Sequence, residues 1–374
     1  MRFNNFWCYR RILLSKGFVK SLWFSRKNLI IHEKGCPPEA GPYMAELDVT
    51  YQCNLRCRMC QRWRDPRRGE LSFSEYKKLA EEFHRLGVHQ ISIAGGEPLL
   101  RKDIFPIIEN FAGRGMSVNL CTNGMLLGKY YREIYSSGVT CVTVSLDGAT
   151  AESHDKIRGT AGSYHQIKSG IETFLFYRNG MPLLRVRMTI SKDNAGEIQR
   201  FYKQWDRVAD DVLLQPVHHC SHSYYTGMGE TSLNLDASVI SDQLRRTPME
   251  KDPYMKRLVT SLKENQSLPD GPCYAGLLMV RINPWGHVFP CLEQHVCIGS
   301  IREGNFFSIW NSAQFQRERK RLASNRECRC WYNNTALIGH FGTQLKKTVP
   351  EKLWRKIQVH LESHFKSIFP NKIT

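Results

Sequence analysis

The sequence predicts an α/β fold: a parallel sheet, open or curved into part of a barrel, with a smaller cysteine-bearing unit behind it. Two observations predict it. Between Met44 and Gln215, short apolar runs of strand length alternate with segments whose apolar residues recur at helical spacing. Six strands joined by helix-sized crossovers pair in parallel, because a right-handed crossover returns the chain to the same end of the sheet. After Pro216 the alternation stops, and a second group of cysteines begins at Cys273.

The strands are expected at 44–49, 89–94, 117–121, 141–146, 184–190 and 211–215, each a β-branched or aliphatic run bounded by turn residues. The first helix starts near Ser72. Ser72 and Glu75 have capping-box spacing, and Tyr76, Leu79, Ala80, Phe83 and Leu86 recur on one face. Further helices are expected at 102–114, 129–136, 164–178 and 195–205, then a polar helical region over 236–264 and a terminal helix over 351–369. In such a sheet, ligands gather at the carboxyl ends of the strands.

With 374 residues, 41% of them hydrophobic and 24% charged, the chain can bury a substantial core, which excludes a disordered or fibrous protein. A net charge of +18 raises nucleic acid, an acidic peptide or an anionic membrane surface as partners. No coherent recognition module accompanies the charge, so nucleic acid is not expected. Part of the charge lies in residues 1–44, where Lys and Arg interleave with Phe3, Phe6, Trp7, Phe18 and Trp23. That extension suits packing on the protein's own barrel or contact with a membrane surface. No run approaches the roughly 20 apolar residues that span a bilayer. Thirteen cysteines, odd in number and tightly grouped, argue against a disulfide framework and for the reducing cytoplasm, with at most a peripheral membrane association.

Cys53, Cys57 and Cys60 have C-x3-C-x2-C spacing directly after the first strand. Three neighbouring thiolates ligate three irons of a cubane and leave the fourth iron open to the amino and carboxylate groups of a methionine-type cofactor. Zinc, or three unliganded buried cysteines, are the alternatives. Gly95-Gly96-Glu97-Pro98 follows the second strand: the glycines let backbone approach a bound group, Glu97 offers charge to an amino group, and Pro98 fixes the turn. Asn123 follows the third strand, and Ser145 and Asp147 lie at and after the end of the fourth. Alternation puts Arg185, Arg187 and Thr189 on one face of the fifth, and Gln215 ends the sixth.

These residues resemble the radical S-adenosylmethionine superfamily, with Met59 standing where that family carries an aromatic residue. The resemblance covers roughly 44–334 and implies a partial (β/α)6 TIM-like barrel. It implies a [4Fe–4S] cluster on Cys53, Cys57 and Cys60, and S-adenosyl-L-methionine as cofactor. Met59, Gly95, Gly96, Glu97, Pro98, Asn123, Ser145, Asp147, Arg158, Arg187 and Gln215 are the implied cofactor or substrate contacts, Arg158 and Arg187 as carboxylate partners. The implied reaction is reductive cleavage of the cofactor to a 5′-deoxyadenosyl radical that abstracts a substrate hydrogen. A peptide or small-molecule substrate and an electron donor such as flavodoxin or ferredoxin are the implied partners.

Cys273 and Cys291 bracket Ile282-Asn283-Pro284-Trp285-Gly286-His287-Val288, which reads as strand, tight turn, strand, and Cys328-Arg329-Cys330 closes the unit. This order is similar to the shortened auxiliary-cluster domain of enzymes related to the sulfatase maturases. It implies a second [4Fe–4S] cluster on Cys273, Cys291, Cys328 and Cys330. The last pair has C-x-C spacing where the family has C-x2-C, which leaves Cys297 as a substitute ligand.

The expected organisation is an extension at 1–43, the barrel at 44–235, a helical linker at 236–272, the auxiliary subdomain at 273–334 and a helical tail at 335–374. The expected function is a radical enzyme that oxidises, cross-links or otherwise modifies a peptide or small metabolite. A lipid or isoprenoid substrate at a membrane surface is the second reading, and a nucleic-acid-modifying or noncatalytic iron–sulfur protein the third. His218, His219, His222, Tyr224 and Tyr225 are candidate acid–base or radical-transfer groups.

Overall fold

The computed structural model describes residues 24–30, 38–65, 68–217, 235–264, 273–292 and 296–324. The expected α/β alternation is present. Strands β1 (Met44–Thr50), β2 (Gln90–Gly95), β3 (Ser117–Thr122), β4 (Cys141–Ser145), β5 (Leu183–Ile190) and β6 (Asp211–Pro216) pair in parallel, each with its sequence neighbour. Helix α1 (Phe73–Leu86) follows β1, α2 (Ile104–Ala112) follows β2, and α3 (Tyr131–Ser136) follows β3.

The first helix forms where its sequence says it should. Ser72 Oγ accepts from the Glu75 N–H at 3.4 Å, and the Glu75 carboxylate accepts from the Ser72 N–H at 2.7 Å. Gly87, with φ of 74°, ends the helix in the left-handed conformation that glycine adopts without strain. Tyr76, Leu79, Ala80, Phe83 and Leu86 are all buried, in one apolar cluster with Ala45, Leu47 and Val49 of β1. Burial of each large apolar side chain contributes about 1.5–3 kcal/mol.

Three crossovers differ from expectation. Two helices, α4 (Ala151–Arg158) and α5 (Ser163–Tyr177), join β4 to β5 where one was expected. The buried face of α4 is His154, Ile157 and Arg158, so it has no apolar stripe to read. The crossover before β6 opens with a 3-10 turn at Ala195–Glu197, and only Ile198–Trp205 is α-helix (α6). The polar region after β6 is two helices, α7 (Ala237–Leu244) and α8 (Pro253–Lys263). They are separated around Pro248 and Pro253, whose missing N–H groups are tolerated only at helix starts.

The sheet continues past β1. Strand β7 (Met279–Ile282) pairs parallel with β1, and β8 (His287–Phe289) and β9 (Gly299–Ser300) follow antiparallel, giving the order β6-β5-β4-β3-β2-β1-β7-β8-β9. The expected strand–turn–strand around Asn283 to Gly286 is therefore a hairpin that extends the main sheet beyond β1. Helices α9 (Phe306–Trp310) and α10 (Ala313–Ser324) close the unit. Arg319 of α10 is buried with its guanidinium over the Trp310 and Phe315 rings, 4.2 and 4.0 Å from their centroids.

One face of the parallel sheet is apolar and packs under the helices: Leu47, Ile91, Ile93, Val118, Leu120, Val142, Val144, Val186 and Met188 share a single cluster. Alternation gives the other face Glu46, Asp48, Ser92, Asn119, Cys121, Thr143, Ser145, Arg185 and Arg187. Residues of this polar face from β1, β3, β4, β5 and β6 line one cavity, so the sheet curves around it. Among the described residues no helix is long and apolar enough to cross a membrane. The N-terminal extension before residue 24, His218 to Tyr225, Cys328, Cys330 and the tail helix lie outside the described residues.

Candidate active site

The cavity lies at the carboxyl ends of the strands, where sequence reasoning expected ligands. Cys53, Cys57, Met59 and Cys60 line it from the loop after β1, Gly95 and Gly96 from the end of β2, and Asn123 from beyond β3. Ser145, Arg158, Arg187 and Gln215 complete the predicted set that reaches it.

The cysteine loop is clamped from below. Arg56 and Arg58 donate backbone N–H groups to the carbonyls of Arg158 and Ile157 at 3.3 and 3.0 Å. Gly159 makes this fit possible, because a Cβ there would stand 2.3 Å from the Arg56 carbonyl oxygen. Cys57 is buried, and Cys53 and Cys60 are half-buried. Burial pushes the Cys57 thiol up to about 12, against the pull of the Arg158 guanidinium, whose Nη1 lies 3.8 Å from its sulfur. Asn123 Nδ2 lies 3.8 Å from Cys53 Sγ and donates to Asn54 Oδ1 at 2.7 Å. Among the described residues no three His, Cys, Asp or Glu side chains are grouped to hold one metal ion. The three thiols that line the cavity are the soft donor set that an iron–sulfur cluster takes.

The glycine pair brings bare backbone to the cavity. A Cβ on Gly95 would stand 2.2 Å from the Thr50 carbonyl oxygen and one on Gly96 2.2 Å from that of Gln52, so no side chain fits at either position. Glu97, in contrast, turns away from the cavity. Its carboxylate accepts from Thr122 Oγ1 at 2.8 Å, the Asn123 N–H at 2.7 Å and the Leu99 N–H at 3.1 Å. Its burial raises its pKa to about 7 against those hydrogen bonds. Glu97 therefore ties β2 to β3, and Pro98 starts the buried 3-10 turn behind it.

Asp147 also lies behind the cavity wall. It accepts from the Thr189 N–H at 2.7 Å and forms an ion pair with Arg158 Nε at 2.7 Å. It is fully buried and orients Arg158. Burial works against the Arg158 charge, but Asp147 and Cys57 outweigh it and the guanidinium stays protonated. Arg187 Nη2 donates to Ser145 Oγ at 3.1 Å across the β4–β5 pairing. Arg185, two residues earlier on the same face, pairs with Asp211 at 2.7 Å and does not line the cavity.

Sequence reasoning missed Glu46, Arg62, Trp63 and Cys121, which also line the cavity. Strand alternation held the signal for Glu46 and Cys121, since both occupy the non-apolar face of otherwise aliphatic strands. Arg62 donates to the Gly95 carbonyl at 3.1 Å and pairs with Asp48 at 3.3 Å. Arg281 of β7 meets the same Asp48 carboxylate at 2.7 Å and donates to the Tyr51 hydroxyl at 2.5 Å. Burial opposes ionisation of Asp48, yet Arg62 and Arg281 overcome it and lower its pKa. A buried charge network thus joins the glycine turn to the last strands of the sheet.

Glu46 has the opposite balance. Burial, then the neighbouring Asp48, raise its pKa to about 7 despite Arg62, Arg281 and Arg187. The folded state holds this proton more tightly than the unfolded chain does. Its contribution to stability is therefore complete below the ordinary carboxyl pKa and lost as pH rises through about 7. Glu46→Gln is expected to remove that loss, on the order of 1–3 kcal/mol, so that the variant gains on the wild type between pH 5 and pH 8. Denaturant unfolding at the two pH values checks this; an equal difference at both contradicts it.

In the C-terminal unit, buried Cys291 and half-buried Cys273 join one apolar cluster with Tyr274, Leu277, Leu278 and Leu322. Cys297 is exposed, with its sulfur 3.5 Å from the Gly299 carbonyl oxygen.

Comparison with known proteins agrees with this geometry. Residues 47–204 match the family model of the radical SAM superfamily, and residues 273–331 match that of an iron–sulfur cluster-binding domain, SPASM. The AdoMet-dependent heme synthase of Methanosarcina barkeri is 29% identical over 300 residues, covering 74% of this chain and 84% of that protein. The mycofactocin maturase MftC of Mycobacterium tuberculosis is 26% identical over 304 residues, covering 77% and 75%. Streptococcus suis SuiB bound to S-adenosylmethionine superposes with a TM-score of 0.63 at 15% identity, covering 86% of this chain and 78% of that one, a likeness of fold.

Proposed function

Because the chain belongs to the radical SAM superfamily and carries an iron–sulfur cluster-binding domain behind its barrel, we propose that it oxidises, cross-links or otherwise modifies a peptide or small metabolite by radical chemistry. One observation carries the reading. Three cysteines, a bare glycine backbone and three arginines line one cavity at the carboxyl edge of a curved parallel sheet.

The radical SAM domain uses a [4Fe–4S] cluster with S-adenosylmethionine, and the SPASM domain adds iron–sulfur capacity. When bound, the reduced cluster and S-adenosylmethionine supply a 5′-deoxyadenosyl radical that takes a hydrogen atom from the substrate. Cys53, Cys57 and Cys60 are the ligands this chain offers the first cluster. The Gly95 and Gly96 backbone suits the amino end of the cofactor, and Arg158 and Arg187 suit its carboxylate. Asn123 and Ser145 add hydrogen-bonding groups on the same wall, and Met59 and Leu55 exclude water beside the thiols.

Glu46, Cys121, Thr189 and Gln215 put polar groups on the remaining wall beside apolar Trp63, Ala94 and Val217, which suits a substrate with both polar and apolar parts. A peptide substrate gains support from the relatives, since MftC is named a maturase and SuiB has been crystallised with its precursor peptide SuiA. Cys273 and Cys291 would supply two ligands of an auxiliary cluster, which would accept an electron from the substrate radical, position the substrate or hold the subdomain together.

Anaerobic purification with iron and sulfide counting, followed by chemical reduction with S-adenosylmethionine present, tests the reading. About eight irons per chain and release of 5′-deoxyadenosine are expected. Zinc without iron, or iron without cofactor cleavage, would sink it.

A further inference from the structure

Among the described residues four arginines are buried. Three of them have a carboxylate: Arg62 and Arg281 share Asp48, and Arg158 pairs with Asp147. Arg319, the most buried at 1% exposure, has no such partner among the described residues. Its Nε donates to the Gly276 carbonyl at 2.5 Å and its Nη2 to the Trp310 carbonyl at 2.7 Å, while Nη1 is buried with no hydrogen-bond partner. Burial alone pushes its pKa down to about 9. The Trp310 and Phe315 rings offset part of the cost, but the charge still lacks an anion. Its surroundings indicate which one. Gly276 lies three residues past Cys273, and its N–H donates at 2.7 Å to the carbonyl of Pro290, the neighbour of Cys291. A Cβ on Gly276 would stand 3.2 Å from Pro290 and 3.5 Å from Arg319 Cγ, so this turn is pressed between the two. Leu322, three residues along the same face of α10, shares the apolar cluster with Cys273 and Cys291. Arg319 thus braces the turn that joins the two cysteine segments, and one N–H group and one positive charge are left over.

We propose that Arg319 is a positioning residue of the auxiliary iron–sulfur cluster, and that its guanidinium balances the cluster's negative charge and raises its reduction potential. The inference rests on the auxiliary-cluster reading above. A cluster held by thiolates is an anion, and it gains one more negative charge on reduction. A buried cation in the same apolar unit stabilises the reduced form more than the oxidised one, because such surroundings screen the attraction little. One electron enters in that step, and no bond forms or breaks. The charge therefore suits a cluster that takes up electrons, in preference to one that only holds the subdomain together.

The test uses the full, reconstituted chain carrying Cys57→Ala, in which the auxiliary cluster is read alone by redox titration with electron paramagnetic resonance. In that background Arg319→Gln removes the charge but keeps an amide donor for the carbonyls. At a fixed potential its ratio of reduced to oxidised cluster is expected to fall about tenfold, or about 59 mV in midpoint for one electron. Arg319→Lys keeps the charge and should hold the ratio within about threefold of the background. Equal midpoints in all three proteins overturn the proposal and leave the auxiliary cluster standing. A background protein that binds no iron, beside a wild type that binds about four, overturns the cluster reading and the proposal with it. Iron lost from Arg319→Gln but kept by Arg319→Lys upholds the proposal, because assembly itself then needs the charge. Iron lost from both, or an equal fall in both midpoints, overturns it, because Arg319 would then serve only as a brace for the Gly276 and Trp310 carbonyls.

Discussion

Cys57→Ala is expected to abolish cofactor cleavage, lowering 5′-deoxyadenosine formation more than about a thousandfold, or at least about 4 kcal/mol of barrier. Cys57 is the buried member of the triplet, with Arg158 beside its sulfur and Cys60 hydrogen-bonded through its N–H to the Cys57 carbonyl at 3.1 Å. Water cannot readily replace a ligand at that depth, so the iron it serves has no alternative donor. Iron should fall from about eight to about four per chain if the auxiliary site assembles independently. Thermal unfolding of the apoprotein should change little, since the substitution removes one sulfur from a loop held by backbone hydrogen bonds to α4. Product chromatography and iron analysis check the outcome, and a variant that still cleaves the cofactor contradicts the ligand assignment.

Asp48→Ala is expected to destabilise the fold by about 3–5 kcal/mol, because it strips the carboxylate from two buried guanidiniums. Arg62 and Arg281 both pair with Asp48, and each is about nineteen-twentieths buried. Neither can reach bulk water without moving the glycine turn or β7. The loss should also weaken S-adenosylmethionine binding, through Arg62 and its bond to the Gly95 carbonyl. Denaturant unfolding and calorimetric titration measure the two effects. Asp48→Asn should cost less, as it keeps an oxygen acceptor for Arg281. Equal stability of wild type and Asp48→Ala would show that the network adds nothing.

The parallel sheet was legible because its apolar face alternates cleanly and its first helix carries both a capping box and a five-residue stripe. The cavity was largely legible too: spacing found the cysteine loop, and position after a strand found Gly95, Gly96, Asn123 and Ser145. What escaped the sequence shares one physical cause. Helix α4 buries His154 and Arg158, so apolar periodicity is silent there. Glu97 and Asp147 also accept hydrogen bonds from distant backbone, which residue type does not announce. The Asp48 and Arg281 pair spans most of the chain, and local patterns carry no record of such pairing. The place of β7 beside β1 was hidden for the same reason, since four residues in sequence do not name the strand they will meet.

Pairing of Met44 with Met279 also dictates an order of events during synthesis. At roughly 5–20 residues per second, the ribosome leaves one side of β1 bare for on the order of ten to fifty seconds before β7 emerges. A bare strand of backbone donors and acceptors is a template for joining another nascent chain. Glu46 and Asp48, inward-pointing carboxylates on that strand, make such joining unfavourable. When Arg281 arrives to neutralise Asp48, the native strand meets an edge that strangers were charged to avoid.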